Sequence, residues 1–152
     1  MEVAVTRTWI CDSCGDGITD PGMALVVWRS GPEYRDFLIV HKSVGGRDCD
    51  PEAGAGYTGN LELKFFLGLE GLTRLLGWLS AGPIRNVPDS NRVSDMDGFV
   101  DLVRRVQIPW YEQARSRFRD EQTHHWLGDA NEYYPYQPDV LQRIAQERLG
   151  HR

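Results

Sequence analysis

Two short apolar runs, ALVVWR (24 to 29) and DFLIVHK (36 to 42), stand on either side of a polar stretch containing Gly31 and Pro32. Runs of β-branched and aromatic residues bounded by turn formers predict strands, so this pair predicts a β-hairpin with His41 at the end of its second strand. Upstream, VAVTRTWI (3 to 10) has the same character and predicts a strand that runs into Cys11. Downstream, LELKFF (61 to 66) alternates Leu61, Leu63 and Phe65 with Glu62 and Lys64, which fits a strand better than a helix. Residues 43 to 60, between the hairpin and this segment, are rich in glycine and poor in apolar side chains, and read as a loop carrying Cys49.

The apolar period then lengthens. Leu69, Leu72, Leu76 and Leu79 recur at helical spacing, Leu75 and Trp78 widen the stripe, and Ala81, Gly82 and Pro83 stop it. IRNVPDSNRV (84 to 93) is a polar connector and the best candidate for an internal hinge. Ser94 with Asp97 forms a capping-box-like start for a helix whose apolar face is Met96, Phe99, Val100, Val103 and Val106. Pro109 ends or kinks that helix, and Trp110, Ala114 and Phe118 mark another that starts at the proline. After the irregular HHWLGDANEYYPYQP, Pro138 occupies the first turn of a terminal helix closed by Gly150.

With 152 residues, 41% of them hydrophobic, the chain is long enough for one ordinary core and short for two. A single domain over 1–152 is expected, with subregions 1–60 and 61–152. The start of the chain lacks a basic segment followed by an apolar run, and no stretch approaches the roughly 20 apolar residues of a membrane span, so a cytoplasmic, soluble protein is expected, with no membrane partner. A net charge of −5 argues against a general phosphate-binding coat.

CDSCG (11 to 15) sets two cysteines three positions apart. Disulfides are rare in a reducing compartment and three cysteines cannot all pair within one chain, so metal binding is the better reading of Cys11 and Cys14. Zinc takes four Cys or His ligands in a tetrahedron, and the set at hand is Cys11, Cys14, His41 and Cys49, spaced C-x2-C-x26-H-x7-C. Gly15 lets the backbone curl so that amides face sulfur, and a hairpin of about ten residues each way returns His41 to the knuckle. Asp12, Asp48 and Asp50 are the alternative donors. The chemistry predicts a structural zinc ion, worth on the order of 10 kcal/mol to a loop-rich region.

The CDSCG turn followed by a hairpin resembles the zinc knuckle of the zinc-ribbon and treble-clef families over residues 9–50. That resemblance implies a closed, structural zinc. The second pair departs from the treble-clef pattern, which would draw ligands from a helix start, whereas His41 and Cys49 are separated by a loop.

Other constellations suggest rival chemistry. His124, His125, Asp129 and Glu132 are metal-compatible side chains that match no H-E-x-x-H spacing, and would serve a small metal-dependent enzyme with an open site. Arg104, Arg105, Arg115, Arg117 and Arg119 on the helices of 95–119 suggest a zinc-finger-type DNA-binding regulator. Asp101 with Arg105 and Glu112 with Arg115 sit at helical pairing distance, which explains those arginines as solvated faces. Tyr133, Tyr134 and Tyr136 read as a strap over the helical core or as partner anchors. The composite expectation is an α+β fold, a zinc-pinned antiparallel β element (knuckle plus hairpin) followed by three to four C-terminal helices. The expected function is a zinc-stabilised binding or adaptor module, with a protein favoured over nucleic acid as partner.

Overall fold

Trp9 and Ile10 form β1, which pairs antiparallel with β2 (Gly17–Ile18) to close the base of the cysteine turn. The computed structural model describes residues 7–51, 55–85 and 92–146. Of the strand expected over 3–10, residues 3–6 lie outside the described residues and 7–8 are irregular. The hairpin forms as its pattern requires, from β3 (Ala24–Arg29) and β4 (Arg35–His41), and β5 (Gly59–Glu62) adds to the other edge of β3. The sheet order is β4-β3-β5, all antiparallel, with Ala24 opposite His41 and Val26 between Ile39 and Leu61. In the central strand β3 the run Val26, Val27 and Trp28 is buried throughout rather than alternating, as in a strand covered on both faces.

The alternation expected through 66 stops at Glu62. A 3-10 turn, Leu63–Phe66, turns both Leu63 and Phe66 into the core and leaves Phe65 at the surface, because that turn repeats every three residues. Helix α1 (Gly68–Leu79) follows directly. It buries Gly71 and Leu75, while Leu69 and Leu76 of the expected stripe face outward. Gly71 has a packing reason, since a Cβ there would collide with the Phe66 backbone.

Helix α2 (Met96–Gln107) begins one residue later than a cap at Ser94 would set it. The capping side chain is Asp95, not Ser94: Gly98 N donates to Asp95 Oδ1 at 2.9 Å. Its buried positions are Phe99, Leu102, Arg105 and Val106, so the inward face includes Leu102 and excludes Met96, which is half exposed. Residues 86–91 of the proposed hinge lie outside the described residues. Its far end is tied down, with Arg92 N bonded to Trp78 O at 3.0 Å and Ser94 N to Tyr34 O at 3.2 Å.

Contacts divide the chain into two units, Trp9–Gln107 and the combination of Met1–Thr8 with Ile108–Arg152. In the first, Trp78 is surrounded by Trp28 (4.8 Å between ring centroids), Tyr34 (5.3 Å), Phe66 (5.6 Å) and Phe37 (5.8 Å). Of these rings Phe66 is fully buried, which contributes about 1.5–3 kcal/mol.

In the second unit, α3 (Tyr111–Arg115), α4 (Glu121–Leu127) and α5 (Pro138–Ala145) enclose Tyr111, Ala114, Trp126, Val140, Leu141 and Ile144. Helix α3 starts at Tyr111 rather than at the proline, because Trp110 sits at a φ of 70° and breaks the helical path. Helix α4 runs into the stretch expected to be irregular, which begins at His124, and its Thr123 and Trp126 are the buried i, i+3 pair. Pro138 takes the first-turn position of α5, and Gly150 lies outside the described residues. The fold is α+β, with an N-terminal β hairpin followed by helices. No helix among the described residues is long and apolar enough to cross a membrane.

Candidate metal centre

Three separate segments converge at one point. The turn between β1 and β2 supplies Cys11 and Cys14, the end of β4 supplies His41, and the loop after it supplies Cys49. Their ligand atoms all lie within 4.8 Å of one another. Cys14 Sγ is 3.5 Å from His41 Nδ1, and Cys49 Sγ is 3.9 Å from the same nitrogen. A tetrahedral zinc with sulfur at about 2.3 Å and nitrogen at about 2.0 Å holds its ligand atoms about 3.5–3.8 Å apart, so the group has the dimensions of an ion's first shell. Cys11, His41 and Cys49 are buried and Cys14 is exposed.

The turn is built to accept charge on sulfur. Gly15, at a φ of +80°, permits a backbone path that L side chains rarely adopt, and its N–H bonds Cys11 O at 2.9 Å. Cys14 N then lies 3.5 Å from Cys11 Sγ, and Asp16 N lies 3.4 Å from Cys14 Sγ. Burial pushes the Cys11 thiol up, but the backbone N–H groups of Cys14, His41 and Ser13 outweigh it and hold the thiol at about 6. Burial pushes the Cys49 thiol up to about 11, and the neighbouring Cys14 and Cys11 sulfurs add to the effect. One negative sulfur is therefore accommodated by the protein alone, whereas a full set of thiolates requires a cation among them.

His41 is oriented for the same purpose. Its Nε2 lies 3.2 Å from the carbonyl oxygen of Gly17. A carbonyl only accepts, so the ring proton sits on Nε2 and the lone pair of Nδ1 points at the sulfurs. Arg47 stands outside the group, its Nη1 3.7 Å from Cys14 Sγ and 3.5 Å from Asp16 Oδ2. A dication with three thiolates and a neutral histidine carries one net negative charge, which this guanidinium offsets.

Asp12, weighed as a substitute donor, is engaged elsewhere. Its Oδ2 accepts from Ile39 N at 2.7 Å and from Arg105 Nη1 at 2.6 Å, so it anchors the turn to β4 and α2. Asp48 and Asp50 are not members of the convergent group. Arg47, Gly17 and the Asp12 anchor are absent from the expected site, because cysteine and histidine spacing marks donors and not the groups that orient them. For Arg47 the available signal was its position two residues before Cys49.

The rival constellations fare differently. Among the described residues the only group of three or more convergent metal donors is Cys11, Cys14, His41 and Cys49. His124 and Glu132 line a cavity of about 390 Å³ together with Phe118, Thr123 and Tyr136, while His125 and Asp129 are not among its lining residues. Arg105 corrects its expected place on a solvated face: it is buried and bonded to Asp12, Ile10 O and, through its own carbonyl, Trp9 Nε1. Tyr134 packs on Trp126 and Tyr136 on Phe118, as a strap over that core, whereas Tyr133 is 71% exposed. The chain matches no protein-family model, no curated protein and no solved structure.

Proposed function

We propose that Cys11, Cys14, His41 and Cys49 bind one structural zinc ion and that the protein is a zinc-stabilised interaction module acting on a protein partner in the reducing environment of the cytoplasm. The observation that carries the metal reading is the convergence of four donor atoms within 4.8 Å from three segments. The Gly17 carbonyl, which selects the Nδ1 lone pair of His41, supports it. Three sulfurs and one imidazole favour zinc over calcium or magnesium, which prefer oxygen. All four coordination positions are met by side chains, which favours a structural ion over a catalytic one that needs an open position.

A protein partner is favoured over nucleic acid because the net charge is −5 and Arg105, one of the arginines that suggested DNA, is consumed in the interior. The family subtype intended by the knuckle is a zinc-ribbon-like one, in which strand ends and loops supply the ligands.

The test is elemental analysis of protein purified without added metal, beside the Cys14→Ser variant. One zinc per chain, lost together with thermal stability in the variant, supports the reading. Absence of metal from the unaltered protein overturns it.

A further inference from the structure

The second unit holds a cavity of about 390 Å³ that the metal centre does not use, and all of its lining residues belong to that unit. This volume falls at the small end of the range of small-molecule sites, about 300–1,000 Å³. Its lining is apolar at Phe118, Leu127, Tyr136 and Ile144. The Phe118 and Tyr136 rings stand nearly perpendicular with centroids 6.2 Å apart, and both pack on the buried Tyr111, at 5.4 Å and 6.5 Å. The aromatic part of the lining is therefore formed before any ligand arrives.

The polar lining is one-sided in charge. Glu132 brings a carboxylate and His124 an imidazole whose lone pair can accept a hydrogen bond, while no lysine or arginine among the described residues lines the cavity. Leu127 and Gly128, also in the lining, end and cap α4, so the negative end of that helix's dipole borders the same space. Gly128, at a φ of 52°, redirects the chain there. Asn131 Oδ1 then accepts from Tyr133 N at 3.0 Å and from Tyr134 N at 2.9 Å, which fixes the turn that carries Glu132. Negative charge beside aromatic and aliphatic surface selects a cation with an apolar body.

We propose that this cavity binds a small organic ammonium, a protonated amine carried on a compact aromatic body. The ammonium pairs with Glu132 and donates to His124, and the body lies against Phe118, Tyr136 and the aliphatic lining. An anion of the same shape would meet the Glu132 carboxylate and the carbonyl end of α4, so it is rejected. A neutral ligand keeps the apolar contacts and loses both the ion pair and the attraction of the ring faces. The inference goes beyond the proposed zinc module and does not rest on it, since none of the four metal donors lines the cavity.

Titration of the full chain with phenethylamine, phenethyl alcohol and phenylacetate near neutral pH tests it, because the three share an aromatic body and differ in charge. Amide shifts in nitrogen–proton correlation spectra are the readout. Phenethylamine should give saturable shifts centred on Leu127, Gly128 and Glu132, and phenylacetate should give none. The amine should bind about fivefold more tightly than the alcohol, the upper end for one exposed ion pair, and Glu132→Gln should remove that advantage without changing the affinity of the alcohol. Ala130→Leu, which fills the cavity from its lining, should abolish binding of both in a chain that circular dichroism shows to be folded. Absence of a saturable shift with phenethylamine, shifts centred away from the cavity, an alcohol or phenylacetate bound as tightly as the amine, or an amine affinity untouched by Glu132→Gln overturns the inference.

Discussion

Asp12, inside the cysteine turn, and Arg105, 93 residues later on α2, form a 2.6 Å ion pair whose side chains are 17% and 2% exposed. Arg105 also donates from Nη2 to Ile10 O at 3.0 Å, so one guanidinium ties helix α2 to the end of β1 and to the turn. Such a pair adds little over an apolar replacement of both partners, yet removing one partner strands a buried charge. Arg105→Met should therefore lower stability by about 3 kcal/mol, the lower end of the range for breaking buried pairs because Asp12 retains some solvent. The Asp12→Ala, Arg105→Met double variant should cost less than the two single changes summed, as urea unfolding would show. Strict additivity would mean that the pair is not coupled.

The local parts of this arrangement were legible from the chain, and the long-range parts were not. The hairpin of β3 and β4 could be read because β-branched runs and a glycine–proline turn act within about 20 residues. The convergence of Cys11, Cys14, His41 and Cys49 was readable because few residue types make soft donors. Nothing local marks Arg105 as different from Arg104, since its burial depends on a carboxylate that arrives from the first turn of the fold. The facing of α1 differs from the expected stripe for a related reason: its leucines share one broad arc of about a third of the circumference, and the tertiary choice of Gly71 as the contact with Phe66 decides which of them point inward. Asp95 displaced Ser94 as the cap because a carboxylate one position on reaches both Gly98 N and Asp36 N.

Gly59 pairs with Trp28 across β5 and β3, and a Cβ at Gly59 would occupy the space of the Trp28 indole. Overfilling a packed site costs about 1–3 kcal/mol. Gly59→Ala should destabilise within that range and alter the near-ultraviolet dichroism of the aromatic cluster around Trp78, while the metal content stays at that of the unaltered protein. An unchanged aromatic signal would show that the indole moves aside freely.

His41 contributes one donor and, through Gly17 O, a fixed ring orientation. Outer-shell partners of a metal-bound histidine alter affinity by about 10–100-fold, so loss of the histidine itself should exceed that. His41→Ala should lower zinc affinity by more than about 100-fold, measured by competition with a chromophoric chelator, and cobalt substitution should report the change in donor set. An affinity unchanged by His41→Ala would remove His41 from the first shell.

Metal binding should release protons, because the thiol of Cys49 is pushed up to about 11 and is protonated near neutral pH. Loading the metal-free protein with zinc at pH 7 should therefore expel at least one proton per ion, measured by calorimetry in two buffers of different ionisation enthalpy. Affinity should weaken by at least about tenfold per pH unit on going down from pH 8, and more steeply below about pH 6, where Cys11 also takes up a proton. Without metal, the two cysteines act in opposite directions on the fold. The contribution of Cys11, whose value is depressed, is present above the ordinary 9.0 and lost as pH falls through about 6. That of Cys49, whose value is raised, is present below 9.0 and lost as pH rises through about 11. Zinc reverses the effect of Cys49 by requiring its thiolate, so the loaded protein should gain stability over the metal-free one as pH rises from 6 to 9. A gap between the two that stays constant over that interval would mean that Cys49 binds no ion.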